Sequence, residues 1–286
     1  MTRSRARGSA TTDRLRAFVP GHVTGFFSVH RHEDPRKTGS RGVGLALTDG
    51  VTVELVPADE PAVVLDGDPI EMEAVTRTLD ALGVTARAVV ETSVPVSAGF
   101  GVSGGAALGT ALVANAADGL ALTENELVGV AHAAEVEAGT GLGDVVAQAR
   151  GGVPVRLAPG APAVNRLDGL SVPETRIEYV SFGGRSTDEI IGGDVGTLSA
   201  AGERALDALL DEPTLPRALA LSRSFAIEAD LLTPPVEAAI EAVRETGGEA
   251  AMAMLGDTVI ALGDGLSAAG YDPVVCEVDP CGARLV

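Results

Sequence analysis

The 286-residue chain has room for two domains or for one large domain, and hydrophobic residues make up 45% of it. Aromatic residues make up only 3% and tryptophan is absent, so the core must consist largely of Ala, Val and Leu side chains. The formal net charge of −19 argues against nucleic acid or an anionic membrane as a partner, because an acidic surface repels both.

The positive charge is carried almost entirely by arginine, since Lys37 is the single lysine. P-loop enzymes and protein kinases each need a lysine in a motif that this chain lacks, which excludes both classes. Any phosphate site must therefore use backbone amides, hydroxyl groups, arginine or a metal ion. The acidic, arginine-rich composition favours a halophilic protein. Cys276 and Cys281 fit no metal motif and indicate ordinary buried thiols in a reducing cytoplasm.

The N-terminal third predicts mainly strands. Residues 1–14 predict a flexible basic tail, not a secretory signal, and no apolar run approaches the about 20 residues of a membrane span. The chain then predicts a strand, a tight turn, a polar loop and a hairpin, over 15–19, 20–25, 28–41 and 42–56 respectively. The Asp49-Gly50 pair marks the hairpin turn. His30 and His32 lie in the polar loop without a third ligand, so a solvated loop is favoured over a metal site.

Helices and one further strand follow. The predicted helices span 68–82, 104–117 and 123–138, and a strand over 84–90 separates the first two. Asp68-Pro69 starts the first helix and Gly83 ends it. Thr123 and Glu126 form the capping box of the third helix, which Gly139 ends.

A glycine-rich loop lies between that strand and the second helix, with the sequence Pro95-Val96-Ser97-Ala98-Gly99-Phe100-Gly101-Val102-Ser103-Gly104-Gly105-Ala106. A glycine-rich turn at a helix start points free amides and the positive end of the helix dipole at one spot, which favours a phosphate. Three interpretations compete. The loop can belong to a nucleoside-triphosphate kinase, to a dinucleotide-binding site with Asp118 downstream, or to a turn that only packs the helix on a sheet.

Two acids stand out after this loop. Glu135 lies on or beside the apolar face of the third helix, where a carboxylate is costly unless it meets a cation or a metal. Asp144 follows three glycines and starts another short segment, where it acts either as a helix cap or as a functional acid. His132 is better explained as an ordinary core or surface histidine. The Gly151-Gly152-Val153-Pro154 stretch marks a domain boundary, so we predict domains over 15–155 and 156–286.

The second half mixes strands and helices without regular alternation, which predicts two α+β domains. The predicted strands span 176–182, 250–254, 258–262 and 274–278. The predicted helices span 197–210, 215–229 and 234–245. Leu255-Gly256-Asp257 form the turn of a hairpin between the second and third of these strands.

A kinase without a catalytic lysine must still cradle the triphosphate, hold Mg²⁺ and activate a hydroxyl. The glycine loop supplies the cradle. Ser103 offers a hydroxyl and Glu135 a hard carboxylate oxygen for Mg²⁺. Asp144 offers a carboxylate that can orient or deprotonate the substrate hydroxyl.

These residues carry a family resemblance. The Pro95–Ser103 stretch resembles the P-x-x-x-G-L-G-S-S-A phosphate loop of the GHMP kinases, with Phe100 in place of Leu and Val102 in place of the first Ser. Glu135 resembles the metal-binding Glu of that superfamily, and Gly141-Leu142-Gly143-Asp144 resembles the segment with its catalytic Asp. The resemblance implies ATP and Mg²⁺ as cofactors, a ribosomal-S5-like N-terminal domain and a ferredoxin-like C-terminal domain. It implies ATP contacts by Pro95, Gly99, Gly101, Val102, Ser103, Gly104 and Gly105.

Within the superfamily the chain is most similar to the archaeal pantoate kinases. Three stretches carry this similarity, at 20–27, 38–44 and 252–256. It implies phosphorylation of the 4-hydroxyl of (R)-pantoate by ATP, for coenzyme A synthesis in the cytoplasm. Arg41, flanked by Gly39 and Gly42 in the polar loop, is the expected clamp for the pantoate carboxylate. His22 and Thr24 are expected to donate hydrogen bonds to its hydroxyls.

The expected partners are this small molecule and a second copy of the chain in a homodimer. Kinases of the same superfamily that act on homoserine, shikimate or mevalonate remain alternatives. A dinucleotide-dependent oxidoreductase and a non-catalytic nucleotide-binding protein are the alternatives from other classes.

Overall fold

A computed structural model describes residues 15–184, 195–254 and 256–286. The segment 1–14, expected as a basic tail, and Leu255 of the expected hairpin turn lie outside the described residues. The strands are β1 (Arg16–His30), β2 (Gly39–Pro57), β3 (Ala62–Leu65), β4 (Asp68–Ile70), β5 (Ala86–Thr92), β6 (Val153–Ala158), β7 (Arg166–Leu170), β8 (Arg176–Gly184), β9 (Ala250–Ala253), β10 (Gly256–Leu262), β11 (Val274–Glu277) and β12 (Arg284–Leu285). The helices are α1 (Glu73–Leu82), α2 (Val102–Asp118), α3 (Glu124–Ala138), α4 (Asp144–Arg150), α5 (Gly196–Asp211), α6 (Leu215–Glu228), α7 (Pro234–Glu245) and α8 (Gly265–Ala268).

Two sheets organise the fold. The first has the strand order β12-β1-β2-β5-β3-β4, with β6 paired to β2 and β7 paired to β6. Its pairing thus continues past residue 155, where the sequence places a domain boundary. The second sheet has the order β11-β8-β10-β9 and is antiparallel throughout. With helices between β8 and β9 and between β10 and β11, this order is ferredoxin-like, which confirms the predicted α+β class.

Strand β1 corrects the predicted turn over 20–25, because it runs unbroken from Arg16 to His30. Its pairing with β2 shifts register between Pro20 and Gly21 and again between Thr24 and Phe26. These irregularities let the strand bend without ending. On its other side β12 pairs only with Ala17 and Phe18, so β1 is an edge strand at Pro20, where a proline is tolerated.

The predicted hairpin at Asp49-Gly50 is also wrong, since β2 continues through this pair to Pro57. Gly50 pairs with Pro20 and Leu47 pairs with Gly21, which leaves Thr48 and Asp49 as extra residues in a bulge. Turn-forming residues here mark a bulge within a long strand and not a chain reversal.

The first helix starts later than predicted. Asp68 and Pro69 lie in β4, which pairs antiparallel with β3. The reversal before them is an Asp66-Gly67 turn in which both residues have positive φ. Helix α1 begins at Glu73 and ends at Gly83 in the left-handed conformation, as predicted for its C-terminus.

The other helices follow the sequence prediction closely. Thr123 and Glu126 form the predicted capping box of α3, and Gly139 ends that helix in the left-handed conformation. The three helices predicted between 197 and 245 are found, and β9 and β10 pair antiparallel as the predicted hairpin requires. Cys276 is buried as expected, whereas Cys281 is exposed. Among the described residues, no helix has both the length and the hydropathy to cross a bilayer.

Aromatic side chains connect the two halves of the molecule. Phe100 of the glycine loop packs on Tyr179 of β8, with ring centroids 4.8 Å apart. Phe27 of β1 packs on Phe225 of α6 at 5.8 Å. The glycine loop therefore lies at the junction of the two halves of the molecule, between β5 and the N-terminus of α2.

Candidate active site

The glycine loop reaches the N-terminus of α2 through two left-handed glycines. Gly99 has φ +88°, and Gly101, the residue before the helix, has φ +65°. Such φ values favour glycine over any residue with a side chain. The amides of the first helical turn have no intrahelical acceptor, so they are free donors at the positive end of the 17-residue helix. The anion cradle at these amides stays a prediction from the sequence.

The glycine loop packs against the second sheet. The Thr258 hydroxyl donates to the Ala98 carbonyl at 3.0 Å. A Cβ placed on Gly256 would lie 2.2 Å from the Ala98 carbonyl oxygen, and one placed on Gly99 would lie 2.7 Å from the Met254 carbonyl oxygen. Contacts this close require glycine at both positions, so packing against the C-terminal hairpin fixes the position of the glycine loop.

Ser103 and Glu135 meet at the start of α2. The Ser103 hydroxyl donates to Glu135 Oε1 at 2.8 Å, and Glu135 is 2% exposed. Added Cβ atoms on Gly104 and Gly141 would lie within 2.6 Å of the Glu135 carboxyl group, so these glycines make room for it. Burial, reinforced by the charge of Asp144, raises the pKa of Glu135 to about 8.

Asp144 is the first residue of α4 and lies beside the glycine loop. A Cβ on Gly101 would lie 3.2 Å from the Asp144 Cβ. The Asp144 Oδ1 atom is 2.7 Å from His22 Nδ1 of β1. Behind the histidine, Nη1 of Arg156 in β6 lies 3.5 Å from His22 Nε2. Ser103, Glu135 and Asp144, named separately from the sequence, thus share one site.

The protonation states of this cluster follow from its burial. Burial lowers the pKa of His22 in spite of the opposing effect of Asp144, so the ring is neutral. Because Arg156 is a donor, Nε2 is the acceptor nitrogen and Nδ1–H donates to Asp144. Burial alone would raise the pKa of Asp144, but the His22 hydrogen bond and the Arg156 charge together lower it. Asp144 is therefore ionised beside a Glu135 that is protonated at neutral pH.

The residues expected to bind substrate have different surroundings from those predicted. His22 is fully buried, and both ring nitrogens contact protein groups, so it contacts Asp144 and not an open cleft. Arg41 lies in β2 and not in a loop. Its Nη1 pairs with Glu203 of α5, and its Nε donates to the Leu157 carbonyl at 3.0 Å. Thr24 is partly exposed, and its carbonyl accepts from the Met254 amide at 3.0 Å.

Arg156 is the main site residue that sequence reasoning missed. It is 1% exposed, and its Nε atom has no hydrogen-bond partner within the part of the chain that the structure describes. A Cβ on Gly143 would lie 2.9 Å from that Nε. The guanidinium therefore packs directly against Gly143, the residue that precedes Asp144. The signal was available, because a lone arginine in the apolar strand Val153-Pro154-Val155-Arg156 is costly without an anionic partner.

Gln148 was also missed. Its Nε2 donates to the carbonyls of Pro20 and Gly101, at 2.9 and 3.0 Å, and so ties α4 to β1 and to the end of the glycine loop. Its Oε1 is buried without a partner. His132, in contrast, is the buried core histidine that the sequence favours, and its Nε2 donates to the Thr38 carbonyl at 2.8 Å.

The dinucleotide-binding interpretation is wrong. It requires a parallel, doubly wound sheet with an acid at a strand end. The pairing of β3 with β5 is parallel, whereas β1, β2, β5 and β6 pair antiparallel. Asp118 ends helix α2 and is followed by Gly119 in the left-handed conformation.

Comparison with known proteins gives the family. Residues 71–152 match the model of the GHMP kinases N-terminal domain. A pantoate kinase of Thermococcus kodakarensis is 36% identical over 263 residues, which cover 87% of this chain and 87% of that protein. The chain belongs to the pantoate kinase family of the GHMP kinases.

Other relatives of this family agree. A pantoate kinase of Methanocaldococcus jannaschii is 33% identical over 275 residues, covering 91% of this chain and 99% of that protein. Among solved structures, a phosphotransferase related to the coenzyme A biosynthesis pathway superposes with a TM-score of 0.85 at 30% identity. That match covers 95% of this chain and 98% of the other. Family membership confirms the predicted superfamily and the predicted kinase class.

Proposed function

We propose that this protein transfers the γ-phosphoryl group of ATP to the 4-hydroxyl of (R)-pantoate. Family membership supports the substrate. The observation that carries the proposal is the Asp144 carboxyl group held 2.7 Å from His22 Nδ1, with Arg156 behind the histidine, beside the N-terminus of α2. An anion cradle next to an oriented carboxylate is the arrangement that phosphoryl transfer to an alcohol needs.

In the proposed reaction the free amides at the start of α2 hold the phosphate oxygens of ATP. Asp144 accepts the proton of the pantoate 4-hydroxyl as the oxygen attacks the γ-phosphorus and the bond to the β-phosphate oxygen breaks. The His22 Nδ1–H donor keeps the accepting carboxylate in place. Arg156, buried behind His22, favours the ionised form of Asp144 through its positive charge. Arg41 and Thr24 stay as proposed contacts at the edge of the substrate.

The residues present fit Mg²⁺. The Ser103 hydroxyl and the Glu135 carboxyl group provide two hard oxygen atoms 2.8 Å apart, and a divalent cation would favour the ionised form of the buried Glu135. The described residues contain no cluster of three or more metal-ligating side chains, and Mg²⁺ commonly uses one or two protein ligands together with phosphate oxygens. When bound, the ion neutralises charge on the transferred group.

An ADP-release assay over a panel of hydroxy acids tests the proposal directly. With MgATP, (R)-pantoate should be turned over faster than homoserine, shikimate or mevalonate, and phosphorus NMR should identify the product as 4-phosphopantoate. Faster turnover of another panel member would reassign the substrate within the superfamily. Stabilisation by MgATP without turnover of any panel member would favour the non-catalytic alternative.

Three further proposals rest on composition and family. We infer a cytoplasmic enzyme adapted to high salt, because the chain carries a formal net charge of −19. Its melting temperature should rise as KCl is increased to molar concentrations, since added salt screens the repulsion between acidic groups. A homodimer is the expected assembly, and sedimentation analysis of the purified protein in high-salt buffer tests it.

A further inference from the structure

A cavity lies away from the candidate active site. Its volume is about 590 Å³, within the range of small-molecule sites. Helices α2, α3 and α4 form its walls together with residues near the C-terminus, and none of the residues assigned above to phosphoryl transfer lines it. The cavity is thus separate from the proposed ATP and pantoate sites.

The lining combines an apolar wall with positive charge. Leu108, Leu112 and Leu127 are among its apolar residues. Two arginines, Arg150 and Arg284, and one acid, Glu124, also line it. Arg284 is neutralised by Asp279, with Nη1 3.0 Å from Oδ2.

Arg150 is different from Arg284. Its Nη1 donates to the Gly151 carbonyl at 3.0 Å, but within the described part of the chain no carboxylate pairs with it. Arg150 is exposed, so its guanidinium can reach a ligand in the cavity that its side chain lines. Its remaining donors favour an anionic group, and the neighbouring leucines favour a hydrocarbon chain.

We propose that this cavity binds an amphipathic anion, with its acidic head on Arg150 and its apolar chain along the α2 and α3 leucines. The same three helices carry the candidate active site. Asp144 and Arg150 are the two ends of α4, and at about 1.5 Å per residue they are roughly 9 Å apart along the helix axis. Ser103 and Leu108 lie on α2, and Glu135 and Leu127 lie on α3. A ligand that shifts these helices changes the geometry of the active site, so occupancy alters kcat.

Titration calorimetry with decanoate as the probe tests binding. The wild-type chain should bind decanoate and should bind 1-decanol more weakly, because only decanoate can pair with Arg150. Arg150→Gln should weaken decanoate binding about tenfold or more, as expected for a lost charge-assisted hydrogen bond. Arg87→Gln removes the same charge from an exposed position outside the cavity and should leave binding unchanged. No binding by the wild type, or equal weakening by both variants, would overturn the proposal.

A second variant tests the apolar wall. Leu112→Trp fills part of the cavity and should also reduce decanoate affinity, while MgATP still stabilises the protein. Saturating decanoate should change the kcat of the wild type without competing with ATP or pantoate, and should leave the kcat of Arg150→Gln unchanged. Competition with either substrate would place decanoate in the active site and refute a separate site. Activity without decanoate tests the phosphoryl-transfer proposal independently. Failure of the decanoate-site proposal therefore does not imply failure of the phosphoryl-transfer proposal, and the converse also holds.

Discussion

Two polar clusters connect strand β1 to distant parts of the chain, and they differ in how fully their hydrogen bonds are satisfied. In the first, around Asp144, Arg156 Nε and Gln148 Oε1 are buried without partners among the described residues, and burial favours the neutral form of Glu135. In the second, Glu203 of α5 accepts from Ser28 at 2.6 Å and His30 at 3.0 Å and pairs with Arg41.

We expect this difference to distinguish a functional site from a structural bridge. Glu203 has its hydrogen bonds satisfied without any ligand, and the ordinary cost of burying a carboxylate is offset by its partners. The Asp144 cluster keeps buried donors and acceptors unpaired, which is costly unless a ligand completes them. Arg41 resembles a substrate clamp in sequence but belongs to the balanced cluster, whereas Arg156 belongs to the unbalanced one.

The largest expected effect comes from Asp144→Asn. The amide cannot accept the hydroxyl proton, so kcat should fall about a thousandfold, a typical contribution of general base catalysis. The side chain keeps its shape, so the affinity for MgATP measured by calorimetry should stay close to wild type. The melting temperature should fall, because the buried Arg156 loses its anionic partner. A kcat within about tenfold of wild type would remove Asp144 from the proton transfer.

A paired comparison of Arg156→Lys and Arg41→Lys comes next. Both substitutions keep the charge but lose the planar fork that binds a carboxylate at two points. We expect kcat to fall roughly 10- to 100-fold in Arg156→Lys, because the loss of a charged hydrogen bond to His22 disturbs Asp144. Arg41→Lys should change it only about threefold, as for a partly exposed pair. The reverse order would show that Arg41, and not Arg156, supports the catalytic cluster.

The raised pKa of Glu135 predicts an unusual pH dependence of the free energy of unfolding when no metal is bound. Its folded pKa of about 8 lies above the ordinary value of 4.5, so between these pH values only the folded state binds the extra proton. This contribution to stability is complete below pH 4.5 and is lost as the pH rises towards 8, by at most about 1.4 kcal/mol per pH unit.

Urea denaturation in EDTA at a series of pH values measures this effect. Glu135→Gln should remove the dependence, because an amide does not titrate. A difference between wild type and variant that is flat with pH would show that the Glu135 carboxyl group ionises normally. Addition of Mg²⁺ should stabilise the wild type more than the variant at alkaline pH, through preferential binding to the folded state.

The smallest expected effect is that of Glu203→Gln. The amide oxygen can still accept hydrogen bonds, and the Glu203 side chain is 32% exposed, so the free energy of unfolding should fall by no more than about 1 kcal/mol. Urea denaturation checks this, and kcat should change less than in Arg156→Lys. A larger fall in kcat would place the balanced cluster in the active site and end the distinction between the two clusters.

The sequence by itself determined the features that depend on local chemistry. The glycines before α2, the capping box at Thr123 and the C-terminal hairpin were all predictable, because helix ends, caps and turns depend on neighbouring residues. Glu135 and Asp144 were predictable as costly or glycine-framed acids, and the structure brings them together.

Only the tertiary structure decided the contacts across the chain. Pro20 and Asp49-Gly50 look like turns locally, but pairing between β1 and β2 absorbs them as irregularities in long strands. The hydrogen-bond partners Asp144 of His22, Glu203 of Arg41 and His22 of Arg156 lie more than a hundred residues away along the chain, and no local pattern indicates which group each side chain meets. Long-range packing therefore decided which charged groups pair with each other, because the energy of a buried charge depends on the groups that surround it in space.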